Sequence, residues 1–302
     1  MREIATGLQF PEGPIAMPDG SVLLVEIARG TLSRVSPNGD VEVVADLGGG
    51  PNGAAIGPDG AVYICNNGGF NWHQQGGRHI PGDAPEDYSG GRIERVDLAT
   101  GKSELLYSHC DGEALRGPND IVFDAQGGFW FTDLGKTFGR LKDRGAVYYA
   151  TIDGKHIEQS VFPIETPNGI SLSPDEKRVY VAETQGARLW GFDIESPGKL
   201  APPAATNSKA FIASPTGLSF FDSMAVEADG TVCVATIVNG GISRIHPDTG
   251  HIRHVATDDK MTTNICFGGA DLKTAYITLS SSGRLVATDW DSPGLALNFL
   301  NL

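Results

Sequence analysis

Short apolar runs rather than helical stripes set the pattern of this chain. "SVLLVE", "AVYICN", "GFWFTD", "RVYVAE", "TVCVAT" and "TAYITL" recur along it, rich in β-branched and aromatic residues and mostly preceded by Asp-Gly-type turns. Runs of this length and composition predict buried strands. Each follows a repeated phrase: "PEGPIAMPDG", "PNGAAIGPDG", "PNDIVFDAQG", "PNGISLSPDE", "FDSMAVEADG" and "TNICFGGADL". A third run then appears ("GTLSRVS", "GRIERVD", "GAVYYAT", "ARLWGFD", "GISRIHP", "GRLVATD"), and after five of the six a more polar fourth: "VEVVAD", "KSELLYS", "HIEQSV", "KAFIAS", "HIRHVA".

The second letter of the phrase is Glu12, Asn52, Asn119, Asn168, Asp222 and Asn264, and an aspartate stands seven residues on in five of the six copies. The intervals between second letters are 40, 67, 49, 54 and 42 residues. Repeats of about 40–45 residues carrying four strands each are the signature of propeller blades. The pattern therefore predicts an all-β chain: one six-bladed β-propeller domain over residues 1–302, with antiparallel four-stranded blades. The sixth copy lacks its fourth strand, and the opening "REIATG" has the character to supply it, so that the N-terminal strand closes the ring. The long interval holds "NNGGFNWHQQGGRHIPGDAPEDYSGG", residues 66–91, which shows no periodicity and is expected to be a lid-like loop.

Composition narrows the function. A formal net charge of −14, with no basic stripe, argues against nucleic-acid binding and against anionic membranes. No run reaches the length of a membrane span, and "MREIATGLQF" has no apolar signal segment. The four scattered cysteines form no CxxC pair, which fits reduced thiols and a cytoplasmic setting. The "GGGPNG" at 48–53 matches a nucleotide-binding pattern but is followed by no helix, and there is no GxSxG or HExxH.

In a propeller the innermost strands line the axis, so six second letters converge at one mouth. Two are carboxylates, four are amides, and all offer oxygen. A ring of oxygens with two negative charges suits a hard divalent cation, calcium first, with zinc, manganese or magnesium as alternatives.

These phrases resemble the SMP-30/gluconolactonase/LRE family of six-bladed propellers, in its bacterial branch. The likeness runs over essentially the whole chain and is most specific in "FPEGP", "GPNDIVFDAQGGFWFTD", "TPNGISLSPDEKRVYVAE" and "FDSMAVEADGTVCVAT". The resemblance implies metal ligation by Glu12, Asn168 and Asp222, with Asn119 beside the metal as a further ligand or a substrate contact. It implies Asp222 as the general base. Animal members place a substrate-gripping arginine two residues before the blade-three asparagine; here Arg116 stands three before Asn119. Asn52 and Asn264 are channel-lining candidates, and Trp72 and His73 in the insertion are substrate-binding candidates.

The implied activity is metal-dependent opening of a small lactone, such as a sugar lactone, to its hydroxy acid by a monomer or homodimer. Phosphotriester hydrolysis on the same metal, or calcium binding without turnover, are the alternatives.

Overall fold

The computed structural model describes residues 1–301. Among these, every regular element is a strand. Six antiparallel sheets follow one another along the chain, and their inner strands are Pro11–Ala16, Pro51–Ile56, Pro118–Phe123, Pro167–Leu172, Phe220–Val226 and Thr262–Gly268. Each inner strand touches that of the next blade, and the sixth touches the first. The six-bladed propeller read from the repeat is the fold.

Ring closure is also as expected. Arg2–Ala5 pairs antiparallel with Arg284–Asp289, Arg2 opposite Ala287 and Glu3 opposite Val286, and so completes blade six. Blade four departs from four strands. Lys199–Leu200 folds back on Arg188–Ser196 as an extra short piece, while Phe211–Ala213 fills the outer place.

Two local devices repeat from blade to blade. The aspartate seven residues after the second letter caps the turn between first and second strands. Asp19, Asp59, Asp175, Asp229 and Asp271 each accept, through Oδ1, the backbone N–H two residues on. In blade three, where Gln126 breaks the pattern, Asp124 does this work for Gln126 and Gly128.

The second device is a bulge. Every inner strand shifts register at the phrase: between Glu12 and Ile15, Pro51 and Gly53, Pro118 and Ile121, Pro167 and Ile170, Phe221 and Met224, and Thr262 and Asn264. A bulge bends the strand and re-aims a side chain. Here it does so at the second letter of all six blades.

Apolar second and third strands pack blade on blade. Trp130 of blade three, fully buried, lies with Val181 and Trp190 of blade four, and each such large side chain contributes about 1.5–3 kcal/mol by burial. Between blades five and six the packing has a polar core. Glu227, fully buried, takes a two-pronged ion pair from Arg244 (both N–O distances 2.7 Å) and a hydrogen bond from Trp290 Nε1 at 2.8 Å. All four cysteines are buried free thiols. At the far end of the channel the C-terminal segment crosses the opening, with Leu295 N–H bonded to Val226 O and the Asn298 amide to Phe123 O.

The insertion is more ordered than its sequence implies. Trp72–Gln75 pairs with Arg78–Pro81 as a hairpin, turned by Gly76 and Gly77, both at positive φ. His73, Gln74, Gln75 and Arg78 are all exposed, so neither face alternates apolar with polar and no strand period is visible. A second, smaller hairpin, Thr137–Phe138 with Leu141–Lys142, stands in blade three. Both loops join second to third strands. They therefore emerge on the face where the inner strands begin, the face of Glu12 and its counterparts.

Candidate active site

Close approach of neighbouring inner strands shapes the channel mouth. The third letter of the phrase is glycine in three copies for a steric reason. A Cβ on Gly13 would lie 2.7 Å from Asn52 O, and one on Gly169 would lie 2.8 Å from Asp222 O. Each glycine thus lets the next blade's second letter approach the axis. Blades three, five and six carry Asp120, Ser223 and Ile265 in the third place instead.

Glu12, Asn52, Asn119, Asn168 and Asn264 are buried, and Asp222 is half-buried. Glu12 Oε2 accepts the Asn264 amide at 2.8 Å and its own strand's Gly13 N–H at 3.0 Å. Asn168 hydrogen-bonds the Asp222 side chain, and Ser223 Oγ lies 3.4 Å from Asn168 Oδ1. Asp120 accepts Ile121 N–H at 2.9 Å and reaches Ile170 N–H at 3.4 Å. Glu12, Asp120 and Asp222 lie near enough for their charges to act on one another, with Asn264 on Glu12 and Asn168 on Asp222. Asn52 sits against Gly13.

The electrostatics are those of crowded carboxyls. Burial pushes Glu12 up to about 7, against hydrogen bonds from Thr263, Asn264 and Gly13. Burial also holds Asp120 at about 7, with the Glu12 charge adding to it. Asp222 is pushed well above the carboxylate range by burial and then by Glu12. No cationic side chain contributes at any of the three. Carboxyls placed together without a counter-charge must hold protons or a cation. The donor set fits a hard cation, because Asn119 Oδ1 is fully buried and has no hydrogen-bond partner.

Asp120 was not among the residues singled out from the sequence, although its signal was there: an acid in the place where three of the five sibling phrases carry glycine and the other two serine and isoleucine.

The remaining candidates lie outside this group. Arg116 is exposed, with Nε 4.0 Å from Asp143 Oδ2. His73 is exposed on the hairpin. Trp72 turns inward onto Phe10, ring centroids 5.0 Å apart, and also meets Phe70 and His79. Phe10 precedes Glu12 by two residues and adopts a left-handed φ of 59°, so Trp72 packs next to the mouth. The two loops are tied to each other by Ala84 N–H to Thr137 O and by Gly139 N–H to Asp83. Lys136, buried between them, lies 3.7 Å from the Phe70 ring centroid, and burial pushes its ammonium down to about 7.

A propeller with this oxygen-lined mouth belongs to the SMP-30/gluconolactonase/LRE-like family, whose model matches residues 10–281. Lactonase drp35 of Staphylococcus saprophyticus is 30% identical over 238 residues, 78% of this chain and 66% of that protein. The chain thus spans about two thirds of that relative's length. The gluconolactonase of Zymomonas mobilis is 24% identical over 314 residues, covering 94% of this chain and 80% of its own. Among solved structures, a gluconolactonase from Xanthomonas campestris superposes with a TM-score of 0.73 at 22% identity, over 97% of this chain and 88% of that one. The calcium-binding protein regucalcin from Agrobacterium tumefaciens does so with a TM-score of 0.74 at 20% identity, over 100% and 97%. These two show the shared fold.

Proposed function

We propose that the protein is a metal-dependent hydrolase that opens a small-molecule lactone, of the sugar-lactone kind, to its hydroxy acid. The observation that carries this reading is the placing of Glu12 and Asp120, buried, and Asp222, half-buried, at the channel mouth among amides with no cationic partner. The lactonase and gluconolactonase relatives supply the reaction class.

Glu12, Asn168 and Asp222 would hold a divalent cation, with calcium first in mind, and Asn119 would present its unpartnered Oδ1 to it. When bound, such an ion polarises a carbonyl oxygen and lowers the pKa of water. The chain's own groups do the rest. Asp222, partly open to the channel, accepts the proton of the attacking water and returns it to the ring oxygen as the C–O bond breaks. Asn264, through its bond to Glu12 Oε2, fixes the orientation of the Glu12 carboxyl. The aromatic hairpin of Trp72 walls the mouth against bulk water.

The test is acid release from a lactone panel before and after thorough chelation. Turnover that stops on chelation and returns with added calcium is the expected result. Turnover indifferent to metal removal would overturn the mechanism, and tight calcium binding with no lactone opened would favour a binding protein.

A further inference from the structure

The insertion is bonded to itself more fully than to the propeller. Asn71 N–H bonds Asp83 O and Gly82 N–H bonds Asn71 O, both at 2.8 Å, and the Asn71 side chain donates to Ala84 O at 3.1 Å. These bonds close the base of the hairpin of Trp72–Gln75 and Arg78–Pro81. Phe70 and His79 pack on Trp72, their ring centroids 5.8 and 5.9 Å from its own. Residues 70–89 thus carry their own hydrogen bonds and their own packing, as compact surface loops with closed ends do.

Glycines stand at both ends of this segment. Gly68, Gly69 and Gly90 have φ of 80°, 94° and 108°, a region that side chains rarely adopt. A Cβ on Gly68 would lie 2.7 Å from the Tyr88 ring and 2.9 Å from Gly90 O, so the two ends meet. Two permissive points side by side define one hinge, and a few φ/ψ angles there can absorb a rotation.

The loop of blade three holds the segment in place. The Lys136 ammonium, on a side chain 3% exposed, donates to Asn67 Oδ1 at 3.0 Å and to Gly69 O, and it lies 3.7 Å from the Phe70 ring centroid. An ammonium is buried at tolerable cost only when its donors are met, and the insertion supplies both acceptors. Lys136 therefore grips the hinge and the first residue beyond it. Ala84 N–H to Thr137 O at 2.9 Å and Gly139 N–H to Asp83 Oδ2 at 3.0 Å complete the docking. The segment meets the mouth through Trp72 on Phe10, two residues before Glu12.

We infer that residues 70–89 are a lid that turns as one body on Gly68–Gly69 and Gly90, opening and closing the mouth, and that Lys136 is the positioning residue that latches it closed. A lid admits substrate when open and excludes water when closed. It would serve any reaction at the mouth, so its existence is independent of the lactonase reading.

Amide hydrogen exchange, read residue by residue on the full chain, tests the hinge. The docking amides of Ala84 and Gly139 should be less protected by about tenfold or more than those of Asn71 and Gly82 inside the lid. Lys136→Met keeps the length of the side chain and removes the ammonium. It should speed exchange at Ala84 and Gly139 by about 10- to 100-fold while Asn71, Gly82 and the melting temperature stay as in the wild type. On whichever lactone the wild type opens, KM should rise with kcat held, because the closed state is lost and the chemistry is not. Phe70→Leu, which removes the ring beside the ammonium, should speed docking-amide exchange by about threefold, and it decides the latch if Lys136→Met does not fold. Equal protection at Asn71, Gly82, Ala84 and Gly139 overturns the hinge, because the insertion then unfolds locally or stays fixed. Docking-amide exchange unchanged in the variant takes the latch away from Lys136. Failure of every lactone would sink the lactonase reading alone, since the exchange results stand without turnover.

Discussion

Asn264 donates its amide to Glu12 Oε2 across 2.8 Å, joining the last blade to the first at the axis. The bond keeps one oxygen of Glu12 occupied, and burial leaves its carboxyl holding a proton up to about pH 7. A folded-state pKa above the unfolded one favours the folded state most at low pH, and this stability is lost as pH rises through the folded value. The metal-free protein should therefore lose melting temperature between about pH 5 and pH 8, and added calcium should restore it. Metal binding releases protons from such ligands. Calorimetry in two buffers of different ionisation enthalpy should detect them, and calcium affinity should rise with pH. Glu12→Gln should fold normally yet bind calcium weakly. An affinity that is flat with pH and unchanged in Glu12→Gln would remove Glu12 from the metal site.

Asp222 has the partial exposure that a proton acceptor needs, whereas Glu12 is closed off. Asp222→Ala should lower kcat by about 10²–10⁴-fold while changing thermal stability little. The measurement is turnover on whichever lactone the wild type opens best. A variant with wild-type kcat would take the base role away from Asp222.

Trp72 holds the hairpin to the mouth through Phe10. An aromatic contact of this kind is worth about 0.5–1.5 kcal/mol. Trp72→Ala should raise KM about three- to tenfold with the melting temperature of the propeller intact. A lowered melting temperature with unaltered KM would make the hairpin a structural element instead.

Glu227 provides a control remote from the site. Burial alone would raise its pKa, but hydrogen bonds from Arg244, Trp290 and Cys233 outweigh burial and hold it low. The stability it contributes is present above the ordinary glutamate value of about 4.3 and is lost as pH falls through the lower folded value. Glu227→Gln should flatten the acid limb of the stability curve. Glu227→Ala, which leaves Arg244 without its carboxylate, should cost about 3 kcal/mol in denaturant titrations. An Ala variant as stable as wild type would show the pair to be dispensable.

The propeller was readable because each blade repeats the same physical problem. A bulged inner strand, an aspartate-capped turn and a buried second strand recur in one register, and no longer-range information is needed to see them. The second-letter ring was readable for the same reason. Asp120 was not legible because the third letter of the phrase varies among glycine, serine and isoleucine in the other blades and so sets no fixed expectation. The Trp72 hairpin was not legible because only Trp72, Ile80 and Pro81 of its strand residues are apolar, too few to show a strand period. The link from Lys136 to Asn67 joins residues 69 apart in different blades, and no periodicity connects an inserted loop to its neighbour.

The strand at Arg2–Ala5 waits for its partner. During synthesis at about 5–20 residues per second, some 15–60 s pass between its emergence and that of Arg284–Asp289, the segment it pairs with. For that time blades one to five can stack, but Arg2–Ala5 has no strand to pair with, and an open edge is a template for pairing with another chain. The nascent ring is thus vulnerable at one seam until the strands of blade six arrive and pair with Arg2–Ala5. A chaperone or a second nascent copy would find the unfinished protein there.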